Sequence, residues 1–339
     1  MTAVAATGVG SMPGGEPLAQ NADNARAYDE ALRVVLGELP GLPHLPELPG
    51  RGAVAGMTGR TIALLDGLGA DLQPAGWRLT GGSSAGLDHR RATSLLNQDL
   101  DALEDLGQDL TGTFKTQLVG PWTLAATVER PRGDRILADH GARRELAEAL
   151  AEAAATHVAD LRRRLPGVTE LLVQVDEPSL PAVMAARVPT ASGFGRHRSV
   201  HPPVASEALS WVLGAIEVSG AVPVVHCCDA DVPVDLLRGA GARGLSVDLD
   251  VLPASAYDGL AAALEAGEGV LLGVVPALEP DTPPTDGSVA ERALRWLDML
   301  GLEPSEQLVL TPTCGLAGAT PAWSREALRL VREAARNIS

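Results

Sequence analysis

Short apolar runs alternate along the chain with longer stretches of helical spacing. The runs fall at residues 4–9, 77–79, 113–119, 170–175, 222–226, 244–248, 269–275 and 307–311. Good helix formers with three- and four-residue apolar spacing fill residues 92–106, 138–165, 205–218, 234–240, 255–266, 289–300 and 323–337. The clearest helix is 138–165, where Leu146, Leu150, His157, Leu161 and Leu165 recur at intervals of four or seven, before Pro166 and Gly167 stop it. Strand followed by helix, repeated, predicts parallel strands joined by crossover helices. Eight such runs predict an α/β fold, a single (β/α)8 TIM barrel spanning residues 1–339. An open doubly wound sheet is the competing architecture, but the glycines near residue 8 do not complete a dinucleotide-binding spacing. Residues 37–59 interrupt the pattern with GELPGLPHLPELPGRG, read as a long ordered loop over one end of the barrel.

Composition narrows the function classes. The net charge is −16 and aromatic residues make up 3% of the chain, which argues against nucleic acid and anionic membrane surfaces as partners. The first residues lack a basic stretch followed by an apolar one, and no apolar run approaches the roughly 20 residues needed to cross a bilayer. A cytoplasmic protein is expected. Lysine is almost absent and arginine carries the positive charge, a pattern read as genomic composition bias. Three cysteines, two of them adjacent, are no disulfide framework. They fit a reducing compartment and direct attention to thiol or metal chemistry.

Barrel chemistry gathers at the C-terminal ends of the strands. Gly8-Val9-Gly10-Ser11, Gly120-Pro121-Trp122-Thr123, Asp176-Glu177-Pro178, His226-Cys227-Cys228-Asp229, Asp248-Leu249-Asp250 and Thr313-Cys314-Gly315 all fall there. His226, Cys228, Cys314 and an Asp of the sixth run would make a Cys2His-carboxylate set suited to Zn2+. His226 and Cys228 are two apart and share a strand face, whereas Cys227 points the other way and reads as packing. A zinc held by thiolates suits activation of an incoming thiol, so the expected reaction is alkyl transfer to sulfur.

These segments resemble the cobalamin-independent methionine synthase family, in particular its C-terminal catalytic barrel and the short forms consisting of that barrel alone. The resemblance is carried by ATGVGSMPG, TQLVGPWTL, LLVQVDEPSLP, VVHCCD and LTPTCGL, in the family's order. It implies zinc bound by His226, Cys228, Asp248 and Cys314, with Ser11 and Asp176 holding homocysteine and Asp176 also serving catalysis. Glu177, beside Asp176, is a further candidate for substrate binding; a salt bridge or a cap on the following helix is its structural alternative. The implied reaction is methyl transfer to homocysteine, giving methionine, from a folate or corrinoid donor that is free or carried on a partner protein. The family's zinc Glu is here Asp248, and Asp250 on the same face competes with it. The family's second homocysteine-contacting Glu has no counterpart in RGAVAGMTGR, and Glu47 is the nearest carboxylate upstream.

Two other readings stand beside this one. A related barrel enzyme, a porphyrinogen decarboxylase or a coenzyme M-type thiol methyltransferase, would share the fold. The decarboxylase would use basic residues such as Arg196, His197 and Arg198 to hold a polycarboxylate. A non-catalytic barrel that binds zinc and a thiol is the third reading. Trp77 and Trp122 are candidates to floor the pocket or contact a flat donor, with core packing the alternative.

Overall fold

The structure is a computed structural model of the chain and describes residues 4–17 and 19–338. The first half runs β1 (Ala5–Ala6), α1 (Asn21–Glu38), α2 (Met57–Leu64), β2 (Ala70–Gln73), β3 (Gly76–Leu79), α3 (Leu87–Leu106), β4 (Gly112–Val119), α4 (Pro121–Thr127), α5 (His140–Arg164) and β5 (Val168–Asp176). It continues with α6 (Leu180–Met184), α7 (Pro202–Val218), β6 (Val222–Cys227), α8 (Val234–Gly239), β7 (Gly244–Asp248), α9 (Tyr257–Glu265), β8 (Gly269–Val275), α10 (Asp286–Leu300), β9 (Leu308–Pro312) and α11 (Pro321–Asn337). Seven strands form one parallel sheet in the order β1-β9-β8-β7-β6-β5-β4. From β4 onward each strand is followed by helix and then by its parallel neighbour, as the alternating pattern predicts.

The sheet is curled, and its two edges bond to the same short segment. Lys115 N donates to Pro43 O at 2.9 Å and Leu45 N to Lys115 O at 2.8 Å, on the β4 edge. Glu47 N donates to Gly10 O at 3.1 Å and Met12 N to Glu47 O at 2.8 Å, on the extension of β1. Residues 43–47 therefore lie between the edges instead of looping over one end. This corrects the expectation for 37–59. Pro43 and Pro46 lack the N–H that a ladder uses, but the two amides that are needed, at Leu45 and Glu47, are present.

The second correction concerns residues 77–79, expected as a barrel strand. They belong to β3, which pairs antiparallel with β2 in a separate two-stranded hairpin, Leu72 opposite Trp77 and Gln73 opposite Gly76. Only Pro74 and Ala75 separate the two strands, and Gly76 follows with φ of 117°. So short a turn can join only antiparallel neighbours.

Two apolar layers set the interior. The inside of the curled sheet is plugged at one end by Leu42, Leu172, Val224, Leu271 and Val309. A larger layer lies between sheet and helices and takes in Phe114, Val173, Val225, Cys227, Leu272 and the inward faces of the helices. In α5 the inward stripe is Leu146, Leu150, His157 and Leu161; Asp139 caps its N-terminus by accepting from Ala142 N at 3.1 Å. The polar side chains inside the sheet beyond the plug form the candidate site.

Candidate metal centre

His226 is the penultimate residue of β6 and Cys228 stands just past its end, two residues on, so both side chains emerge on the inner face. Cys314 stands two residues past β9. One ligand atom from each of His226, Cys228 and Cys314 lies within 4.8 Å of the other two. The two sulfurs are 3.5 Å apart and share a hydrogen bond. His226 Nδ1 is 2.9 Å from Ser246 Oγ on the neighbouring strand, which fixes the ring and leaves Nε2 as its free ligand atom. Two thiols and an imidazole converging this closely are a donor set that Zn2+ takes in thiolate sites. The hydrogen bond between the two sulfurs, with His226 beside it, pulls the Cys314 thiol down to about 4, while the same contact pushes Cys228 up.

Asp248 ends β7 half-buried near Cys314, and burial raises its carboxyl above the usual range. It does not join the three-residue group, and its Oδ1 accepts from Asp250 N at 2.8 Å. Asp250, the competing carboxylate, pairs with Arg292 at 2.5 Å on the outer side. Cys227 is buried between sheet and helices, and burial pushes its thiol up to about 12.

Ser11 sits against the loop that carries Cys314. A Cβ on Gly315 would stand 2.1 Å from Ser11 Oγ, and Leu316 N donates to Ser11 O at 2.8 Å. Only glycine at 315 lets the hydroxyl approach this closely. Asp176, at the end of β5, is the strand neighbour of His226. Its Oδ1 accepts from Gln174 Nε2 at 2.7 Å, and burial pushes its carboxyl up to about 7.

Glu177 has different partners. It is fully buried and accepts from Trp122 N, Thr123 N and Thr123 Oγ1, each at 2.8 Å. Its carboxylate thus caps α4, the helix after the preceding strand, and all three bonds are internal. A helix cap was the alternative weighed against a substrate contact for this residue, although the helix capped is α4 and not the one that follows. Trp122 and Trp77 are both buried in the layer between sheet and helices, and Trp122 Nε1 donates to Ala205 O at 2.9 Å. Two residues of the basic run have internal neighbours: Arg196 donates to Arg187 O at 2.7 Å, and His197 Nε2 lies 3.2 Å from Asp134 Oδ1 in the loop after α4.

One residue that the sequence offered only as the nearest upstream carboxylate lies beside these candidates. Glu47 is buried, accepts from Gln117 Nε2 at 3.1 Å and lies 3.8 Å from Arg60 Nε. Burial raises its carboxyl, and Asp176 is close enough for the two charges to repel. Behind it, Arg60 and Arg51 both bond to the buried Asp99, Arg51 through two bonds of 2.8 and 2.7 Å. The position of Glu47 between two sheet edges explains why its place in the site is hidden in the sequence.

The catalytic-domain profile of the cobalamin-independent synthases matches residues 105–337. The chain belongs to that family. Membership implies methyl-transfer chemistry. The matched span contains Asp176, Glu177, His226, Cys228, Asp248 and Cys314, while Ser11 and Glu47 precede it. No curated protein matches the chain. Solved structures match it more loosely. A 2,3-dimethylmalate lyase of the PEP mutase/isocitrate lyase superfamily is 12% identical over 96% of this chain and 78% of that one, with a TM-score of 0.39. The β-mannanase of the blue mussel Mytilus edulis is 10% identical over 98% of this chain and 92% of that one, with a TM-score of 0.45. Likenesses this loose decide nothing about chemistry.

None of the described helices is long and apolar enough to cross a membrane.

Proposed function

We propose that the protein is a zinc-dependent methyltransferase that moves a methyl group to a small amino-acid thiol, homocysteine in the first instance, to give methionine. The observation that carries this reading is the convergence of His226, Cys228 and Cys314 within 4.8 Å of one another, in a chain of the synthase family. In the same reading residues 43–47 take the second strand position of a (β/α)8 barrel, and residues 1–339 act as one domain. Its working place is a reducing compartment, the cytoplasm, where the thiols stay reduced.

Zinc, when bound by His226, Cys228 and Cys314, supplies the acidity that keeps an acceptor thiol deprotonated at neutral pH. Asp248 is the carboxylate within reach to complete the ligand set. The chain's own residues do the rest. Ser246 holds the His226 ring so that Nε2 faces the sulfurs. Ser11, seated over Gly315, offers a hydroxyl beside Cys314 for the polar end of the substrate. Asp176 and Glu47 form a buried pair of acceptors for its ammonium group. The methyl donor, a folate or a corrinoid, enters over the open end of the barrel. In-line transfer needs donor carbon and acceptor sulfur roughly 3–3.5 Å apart, so positioning supplies much of the rate.

The test is metal analysis of protein purified without chelator, followed by methyl transfer to homocysteine from methyl-tetrahydrofolate and, in parallel, from methylcobalamin. Bound zinc and methionine formation with one donor are expected. Absence of zinc, or full activity in Cys314→Ala, would sink the reading.

A further inference from the structure

Lys115 is the only lysine of the chain, and it is completely buried inside the curled sheet. An ammonium group there requires acceptors to offset the loss of water. It has two: Nζ donates to Val9 O at 2.8 Å and to Gln174 Oε1 at 2.9 Å. Burial pulls its pKa down to about 8, and the charges of Asp176 and Glu47 hold it up.

The Gln174 amide is where this matters. A glutamine amide can be turned either way round, and its neighbours decide which end is oxygen. Lysine offers only donors, so the atom facing Nζ has to be Oε1. The other end is then the NH2 group. That group donates to Val9 O at 2.9 Å and to Asp176 Oδ1 at 2.7 Å. Lys115 and Asp176 sit at opposite ends of one amide, and the cation at one end, together with Val9 O at the other, sets what the carboxylate meets. On the adjacent strand Gln117, in register with Gln174, plays the matching part for Glu47. Gln117 is oriented by Leu45 O, at 2.8 Å, with no charge needed.

We propose that Lys115 is a positioning residue: by fixing the Gln174 amide it holds Asp176 Oδ1, so that Oδ2 is presented as an acceptor for the ammonium group of an amino-acid thiol. This rests on the proposed function and adds to it the device that recognises the amino group, separate from the metal that recognises the sulfur. Without the ammonium, Oε1 is left buried without its donor, and the amide is held from its NH2 end alone, by Val9 O. A flipped amide would turn its oxygen toward Asp176 and drive the carboxylate out of place.

The experiment compares two ligands on zinc-loaded protein by calorimetry: homocysteine, and 4-mercaptobutyrate, which is homocysteine without its amino group. Lys115→Met and Gln174→Leu are expected to weaken homocysteine about 10- to 100-fold, the range for a lost charge-assisted bond. Both should leave 4-mercaptobutyrate within about twofold and leave zinc content unchanged. Equal weakening of both ligands would mean general damage to the site and would overturn the proposal, as would an unchanged homocysteine affinity. Should Lys115→Met fail to fold, Gln174→Leu carries the same comparison. A second readout needs no substrate. With one lysine, 13Cε-lysine labelling gives one side-chain signal, and Gln174→Leu must move it. If wild-type protein binds neither ligand, the functional reading fails and takes this proposal with it, while the lysine signal still shows whether the contact to Gln174 exists. An unmoved signal overturns the contact whatever the substrate proves to be.

Discussion

The Sγ atoms of Cys228 and Cys314 lie 3.5 Å apart although 86 residues separate them in the chain. A disulfide needs about 2.05 Å, so the pair is near enough to be joined by a small movement. Bound metal would hold both sulfurs as ligands and shield them. In chelator-treated protein a mild oxidant such as diamide should take two electrons and two protons from the pair and link Cys228 to Cys314. Zinc-loaded protein should resist. Peptide mapping without reductant reads the link, and zinc analysis of variants completes the test. Cys228→Ala and Cys314→Ala should lose the metal, while Cys227→Ala, altered only in packing, should keep it. Equal zinc in all three would remove the centre from consideration.

Gly315 is expected to be intolerant of even one methyl group. A Cβ there meets Ser11 Oγ at 2.1 Å, so Gly315→Ala must displace the hydroxyl or the Cys314 loop. A misplacement of about 1 Å in a positioned group lowers the rate roughly 100-fold. Methyl-transfer rate should fall on that scale, with zinc still bound. Retention of full rate would show that Ser11 does not touch the substrate.

Glu177 should report on stability. Replacing it with Ala leaves Trp122 N, Thr123 N and Thr123 Oγ1 without an acceptor in a buried place. Orphaned buried donors cost about 1–3 kcal/mol each before relaxation. A loss on the order of 3 kcal/mol in denaturant unfolding is expected for Glu177→Ala, with a smaller loss for Glu177→Gln. Normal stability combined with lost substrate binding would return Glu177 to the substrate site.

His157 sets an acid limit of its own. It is fully buried within α5, its Nε2 is 3.2 Å from Thr116 Oγ1, and burial, aided by the Arg60 charge, lowers its pKa to about 4. The fold therefore favours the neutral ring. That contribution is complete above the unfolded value near 6.5 and is lost as pH falls from there through about 4. The full difference is on the order of 3 kcal/mol. His157→Gln should flatten the stability profile in that window by one proton's slope, read from unfolding curves between pH 7 and pH 4. An identical slope in variant and wild type would refute the assignment.

The sequence made the candidate metal ligands legible because a strand alternates with period two. His226 and Cys228 had to share a face, and Cys227 had to leave it. The parallel strands from β4 to β9 were legible for the same reason, as buried runs with helices between them. Two elements were not. Residues 77–79 are too short for an apolar run to distinguish a barrel strand from a hairpin, and the deciding signal was the neighbouring Pro74-Ala75-Gly76. Residues 43–47 carry two prolines and no alternating pattern; their pairing depends on partners 35 and 72 positions away, at Gly10–Met12 and Lys115–Gln117. The sequence offered Glu47 as the nearest upstream carboxylate, but its place beside Asp176 was hidden with them. Lys115 reads as one residue of an apolar run until its acceptors, Gln174 on β5 and Val9 just past β1, are known.

The segment at 43–47 has a further consequence for how the molecule fails. A bare sheet edge is a template for another chain, and both ends of this sheet are shielded by the same few residues. Release of that one segment would uncover two sticky edges together and withdraw Glu47 from the interior in the same event. Inactivation and aggregation would then share a single local opening, long before the rest of the fold melts.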